Sequence, residues 1–207
     1  MKIADCHMHS FFSSDSETPT EDMVKRAIEL GLPAICLTDH YDMDYNTGEF
    51  QLDTPKYAEK IRELQEKYRE KIEIRFGVEL GLQLHLKERM EKYVTMWPFD
   101  YIIGSMHVID GKDPYYEDAF PEWTAEELYR AYFRATAENI RSFHHFQTLG
   151  HLDYVVRYGK EKSRAYSYRT FSDEIDAILK ELIQHDIALE INTGGYKAGL
   201  GVPNPTV

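Results

Sequence analysis

Asp5-Cys6-His7-Met8-His9 sets a carboxylate and two imidazoles at alternate positions of a short apolar run. Residues two apart in a strand share a face, so His7 and His9 can bind one cation while Asp5, one step below, orients an imidazole. Four further apolar runs finish in the same residue types: Thr38-Asp39-His40, Gly77-Val78-Glu79-Leu80, Ser105-Met106-His107 and Gly150-His151-Leu152-Asp153. A sixth finishes Glu190-Ile191-Asn192. Five of the nine histidines fall at these run ends, and Glu79 fills another such place. Surface histidines would scatter among helices and loops. The other four do: His85, His144, His145 and His185 fall in or near expected helices, where positive charge at a C-terminal end suits the dipole.

Imidazole and carboxylate without thiolate suit Zn²⁺, Mn²⁺ or Fe²⁺ better than Ca²⁺ or Mg²⁺. Five histidines and a glutamate exceed the needs of one tetrahedral site, so at least two ions are implied. A carboxylate can bridge two metals through its two oxygens, which makes Glu79 the natural bridge.

The elements that must position these residues alternate strand with helix. Strands are expected over 2–7, 33–38, 72–80, 99–105, 147–151 and 187–192. Thr18-Pro19-Thr20-Glu21 and Thr124-Ala125-Glu126-Glu127 read as capping boxes opening helices. Further helices are expected from Thr54-Pro55, with Tyr57, Ile61, Leu64 and Tyr68 inward, and around Leu84 to Val94. The helix from Ser172 turns Ile175, Ile178, Leu179, Leu182 and Ile183 inward. This alternation predicts an α/β fold with a parallel sheet, open or closed, whose C-terminal strand ends form the ligand face. No glycine-rich nucleotide signature follows any strand.

The 207 residues suffice for one domain, and 43% hydrophobic with 29% charged residues is a globular profile. A net charge of −12 excludes a nucleic-acid grip, which needs clustered Lys and Arg. Cys6 and Cys36 fit free thiols in a reducing cytoplasm rather than a disulfide framework. Neither a signal peptide nor a membrane span is expected.

Taken in order, Asp5-x-His7-x-His9-Ser10, Leu37-Thr38-Asp39-His40, Gly77-Val78-Glu79-Leu80, Ser105-Met106-His107 and Gly150-His151-Leu152-Asp153 resemble the motifs of the polymerase and histidinol phosphatase (PHP) superfamily. The single-domain histidinol-phosphate phosphatases are the nearest likeness, and Glu190-Ile191-Asn192-Thr193 resembles their sixth-strand segment. The resemblance implies a distorted (β/α)7 TIM-like barrel spanning 1–207 as one PHP domain, with a trinuclear cluster at its C-terminal face. His7, His9 and bridging Glu79 would hold the first metal, Glu79, His107 and His151 the second, and His40 the third. Asp15 stands where the family places another ligand; read alone, it is equally an acid of the polar loop after Ser13-Ser14. The family's seventh strand ends in Asp-x-His, and no such motif follows Asn192. The expectation is therefore a chain about one βα unit short, with weak binding of the third metal, reduced activity and an open edge that favours oligomers.

The implied reaction is in-line attack of a metal-bridging hydroxide on a phosphate monoester, with clustered cations neutralising the dianion. Glu79, His107 and Asp153 are the candidate catalytic residues. Arg157, Arg164 and Lys197, beyond the fifth and sixth strands, are candidate anchors for the phosphate or its leaving group. The function expected is histidinol-phosphate hydrolysis in cytoplasmic histidine biosynthesis. The alternatives are a phosphodiesterase or protein-tyrosine phosphatase of the same superfamily, a metal-binding domain without turnover, or a metal-dependent amidohydrolase.

Overall fold

Five of the expected strands form where the apolar runs predict them. In the computed structural model, which describes residues 4–45, 47–116, 118–158 and 166–206, they are β1 (Ala34–Leu37), β3 (Glu73–Gly81), β4 (Tyr101–Ser105), β5 (Thr148–Leu149) and β6 (Ala188–Leu189). A further two-residue strand, β2 (His40–Tyr41), follows β1. The helices are α1 (Thr20–Glu29), α2 (Thr54–Tyr68), α3 (Lys87–Met96), α4 (Ala125–Ser142), α5 (Ser172–Gln184) and α6 (Gly194–Lys197). The chain folds as two compact units, Met1–Gly81 with Lys92–Ile103 and Leu82–Glu91 with Gly104–Val207.

In the first unit β1 and β2 both pair in parallel with β3, and the second of these registers sets His40 beside Glu79. The α2 side chains Tyr57, Ile61, Leu64 and Tyr68 recur at helical spacing, are buried, and cover β3. Asp53 caps α2 by accepting from the Lys56 N–H at 3.3 Å, and Pro55 sits in the first turn, where its missing N–H costs nothing. Gly77 is a tightly enclosed point of β3. A Cβ there would stand 2.5–2.8 Å from Cys36 Sγ, Thr38 Cγ2 and the Tyr101 carbonyl.

In the second unit β5 pairs in parallel with β6, and the Gly150 N–H donates to the Gly104 carbonyl at 3.0 Å. Helix α4 lays Tyr129, Tyr132, Phe133 and Ile140 into the core and packs on α5, whose Ile175, Ile178 and Leu182 are buried. Arg130 and Arg134 both reach the buried carboxylate of Glu174, at 2.9 and 3.1 Å, tying the two helices.

Several local expectations are corrected. The second capping box forms in full at Thr124 and Glu127, but the first does not. Glu21 turns instead to Tyr68 Oη and Lys67 Nζ, at 2.7 and 3.0 Å, and the Thr20 hydroxyl donates to Ser10 Oγ. Within the described part of the first run only Asp5 makes a β-bridge, to Ile35. Ile183 is 81% exposed rather than inward. α4 stops at Ser142, so His144 and His145 lie beyond it, and His144 stacks on His185 with ring centroids 3.8 Å apart. His85 falls in a single 3₁₀ turn. Arg164 lies outside the described residues.

Candidate metal centre

The first unit brings together all five of its expected ligands. Thr38 Oγ1 accepts the Met8 N–H at 3.1 Å, and the buried Asp39 carboxylate accepts the Ser10 N–H at 2.6 Å. These two bonds clamp the 8–10 segment against the end of β1 and aim His7 and His9 at Glu79. Glu79 is 0% exposed. Its Oε2 stands 3.1 Å from His7 Nε2, 3.0 Å from His9 Nε2 and 3.2 Å from His40 Nδ1. Asp15 Oδ2 lies 2.9 Å from His9 Nδ1 and 3.7 Å from His40 Nε2.

These separations suit a shared ion. Two ligand atoms about 2.1 Å from one Zn²⁺ at a tetrahedral angle stand roughly 3.4 Å apart. His9, Asp15 and His40 each offer an atom within 4.8 Å of the others. The donor set is nitrogen and oxygen throughout, as expected for Zn²⁺, Mn²⁺ or Fe²⁺.

The electrostatics agree. Burial alone would lower the His9 pKa, but the Asp15 and Glu79 carboxylates outweigh it and raise it to about 9. Asp15, opposed by burial but bonded to His9, is held below the ordinary carboxylate range. The site thus concentrates negative charge that a proton or a cation neutralises. Burial pushes Asp39 the other way, upward, which matches its role as a hydrogen-bonding clamp.

In each unit one residue beside the candidate ligands had no role assigned from the sequence. Asp42 Oδ2 lies 3.2 Å from His40 Nδ1, is buried, and fits only because Gly81 has no side chain in its path. Its signal is the alternation His40-Tyr41-Asp42, the spacing that singled out His7 and His9. The other is Glu190, whose Oε2 accepts the His151 N–H at 2.9 Å. Asp5, expected to steady an imidazole ring, accepts the His7 backbone N–H instead, at 3.2 Å.

In the second unit His107 and His151 are both buried, with ring centroids 5.4 Å apart, and Tyr154 lies within 5.5 Å of each. Asp153 is fully buried; its Oδ1 accepts from Asn204 Nδ2 at 2.6 Å, and its Oδ2 from the Thr206 N–H at 2.6 Å and the Thr206 hydroxyl. Arg157 donates through Nε to Asn204 Oδ1 at 2.7 Å and through a terminal nitrogen to Asn192 Oδ1 at 2.9 Å. Lys197 is exposed at the end of α6.

A parallel α/β fold with histidines and acids gathered at strand ends defines a class of metal-dependent hydrolases, and comparison with known proteins agrees. Residues 5–194 match the PHP domain, and the chain belongs to that family. It is 36% identical over 194 residues to the histidinol-phosphatase of Lactococcus lactis, covering 93% of this chain and 72% of that protein. A Clostridium acetobutylicum protein named as a probable histidinol-phosphatase is 31% identical over 192 residues, covering 92% and 73%. The crystal structure of the Lactococcus lactis histidinol phosphate phosphatase, complexed with zinc, L-histidinol and phosphate, superposes with a TM-score of 0.90 at 34% identity. That match covers 95% of this chain and 75% of that one.

Proposed function

We infer that this chain is a metal-dependent phosphomonoester hydrolase that converts L-histidinol phosphate and water to L-histidinol and phosphate. The observation that carries the chemistry is the meeting of His7, His9 and His40 nitrogens at one buried oxygen of Glu79, at 3.0–3.2 Å. The substrate rests on the relatives, above all the one solved with zinc, L-histidinol and phosphate.

His7, His9, Asp15, His40 and Glu79 are the proposed metal ligands of the first unit, and His107 and His151 those of the second. Bound divalent ions would neutralise the phosphate dianion and lower the pKa of a coordinated water toward neutrality. Asp42 holds the His40 ring. Glu79 sets the spacing of three imidazoles through one oxygen. Asp153, with both oxygens already accepting, serves as an anchor for the 153–157 turn rather than as a proton donor. Arg157 braces Asn192 and Asn204, and the exposed Lys197 is a candidate cation for a phosphate or its leaving group. We regard 1–207 as one catalytic domain working in the cytoplasm. No helix among the described residues is long and apolar enough to cross a membrane.

The test is a kinetic panel of phosphomonoesters on the purified chain, stripped with EDTA and refilled with Zn²⁺ or Mn²⁺. Histidinol phosphate is expected to give the highest kcat/KM, and EDTA to abolish turnover. No hydrolysis of any ester by the refilled chain would overturn the hydrolase reading. A clear preference for another ester would overturn the substrate alone.

A further inference from the structure

His151 has an unusual backbone. Its φ is +27°, in the left-handed region that costs an ordinary L-residue roughly 1–2 kcal/mol. A conformation of that kind persists only where its surroundings hold it, and here the holding group is a side chain. β5 and β6 run in register, with Ala188 N–H donating to the Gln147 carbonyl at 2.9 Å and Glu190 N–H to the Leu149 carbonyl at 3.1 Å. Continued at that spacing, the ladder would next carry the His151 N–H to the Glu190 carbonyl. The Glu190 side chain takes that rung instead, Oε2 accepting the His151 N–H at 2.9 Å. The ladder ends there, and the chain is free to turn at His151.

The acceptor is itself fixed. The same Oε2 accepts from Asn192 Nδ2 at 3.1 Å. Asn192 Oδ1 in turn accepts the Gly194 N–H at 2.7 Å and Arg157 at 2.9 Å. On the other side Tyr154 stacks on the His151 ring, at 30° and 5.1 Å. The imidazole is thereby fixed from its backbone and from its face.

We propose that Glu190 is a positioning residue: by replacing a strand carbonyl as acceptor for the His151 N–H, it holds residue 151 in the left-handed turn that directs its imidazole to metal. The inference rests on the reading of His151 as a metal ligand, and goes beyond it in naming the group that sets the ligand's direction. What matters is an acceptor at this reach, not a charge.

The experiment compares Glu190→Gln, which keeps the acceptor and loses the charge, with Glu190→Asp, which keeps the charge and withdraws the acceptor by one methylene. Zn²⁺ affinity of the EDTA-stripped chains is measured by competition with a chromophoric chelator, and their thermal unfolding is followed without metal. Glu190→Asp is expected to bind Zn²⁺ roughly 10- to 100-fold more weakly, the range for groups that orient a ligand, with metal-free unfolding little changed. Glu190→Gln is expected to match the parent chain. Glu190→Ala should behave as Glu190→Asp, and the Asp variant decides if the Ala variant does not fold. The reverse order, with Gln weak and Asp unaffected, would overturn the proposal in favour of a charge effect. Equal losses of metal-free stability and affinity in both Asp and Gln variants would overturn it in favour of a purely structural tie. His151→Ala separates the two levels: parental Zn²⁺ binding in that variant would remove the ligand reading itself. Loss of binding there, with Glu190→Asp at the parental level, would remove only the role of Glu190.

Discussion

Raising the pH of the metal-free chain from 6 to 9.5 should destabilise it, and His9 sets the size of the effect. In the unfolded chain its pKa is near 6.5; in the fold the Asp15 and Glu79 carboxylates, at 2.9 and 3.0 Å, overcome burial and raise it to about 9. A raised pKa means that the folded state holds the proton more tightly. The stabilisation is therefore complete below pH 6.5 and is lost as the pH climbs through about 9. The difference of about 2.5 units corresponds to on the order of 3 kcal/mol. Asp15, whose pKa is lowered, titrates in a separate acid window and does not mask the loss. The assay is urea unfolding of the EDTA-stripped chain across this range, repeated with saturating Zn²⁺. A bound cation takes the place of the proton, so the loss should vanish with metal. Apparent Zn²⁺ affinity should rise about tenfold per pH unit up to about pH 9, because one proton no longer has to be displaced. Asp15→Asn removes the largest favourable partner and should shrink the metal-free loss. A stripped chain equally stable at pH 6 and 9.5, or an Asp15→Asn variant with an undiminished loss, would refute the reasoning.

Glu79→Gln keeps the shape but not the charge at the point where three imidazoles meet. It should cost roughly 100-fold or more in turnover, and elemental analysis should find less metal per chain. Gly81→Ala places a methyl against the Asp42 carboxylate and should displace it from His40, costing about 1–3 kcal/mol of stability together with Zn²⁺ affinity; denaturant midpoints and chelator competition read the two effects. Thr124→Ala removes the complete capping box of α4 and should cost about 1 kcal/mol in urea unfolding while leaving kcat unchanged.

The candidate ligands of the first unit were legible because most of them stand at the ends of apolar runs, and a parallel strand carries whatever ends it to a common face. Glu79 follows the Phe76-Gly77-Val78 stretch of β3, and His40 follows β1 by three residues, so periodicity alone placed both. Asp15 was reached only through the family likeness, since nothing in Ser13-Ser14-Asp15 marks it. What stayed hidden depends on partners remote in sequence. The capping box at Thr18 failed because Glu21 is taken by Tyr68, 47 residues away. Asp153 and Arg157 look like free site residues until Asn204, 51 and 47 residues downstream, occupies both. Glu190 was visible as part of a strand end, but its task depends on a backbone turn at His151, which no side-chain pattern encodes.

The bare backbone at Gly77 makes tolerance to substitution change abruptly along one edge of β3. Glu73 and Arg75, on the same side of the strand, are exposed and can accept many replacements. Two residues further on, even a methyl would wedge between Cys36, Thr38 and the Tyr101 carbonyl and lever the neighbouring strands apart. That wedge would sit two residues before Glu79 and shift the pivot about which the three imidazoles are arranged. A saturation library at position 77 should thus return glycine alone among active clones, with the damage registered in metal retention as much as in folding.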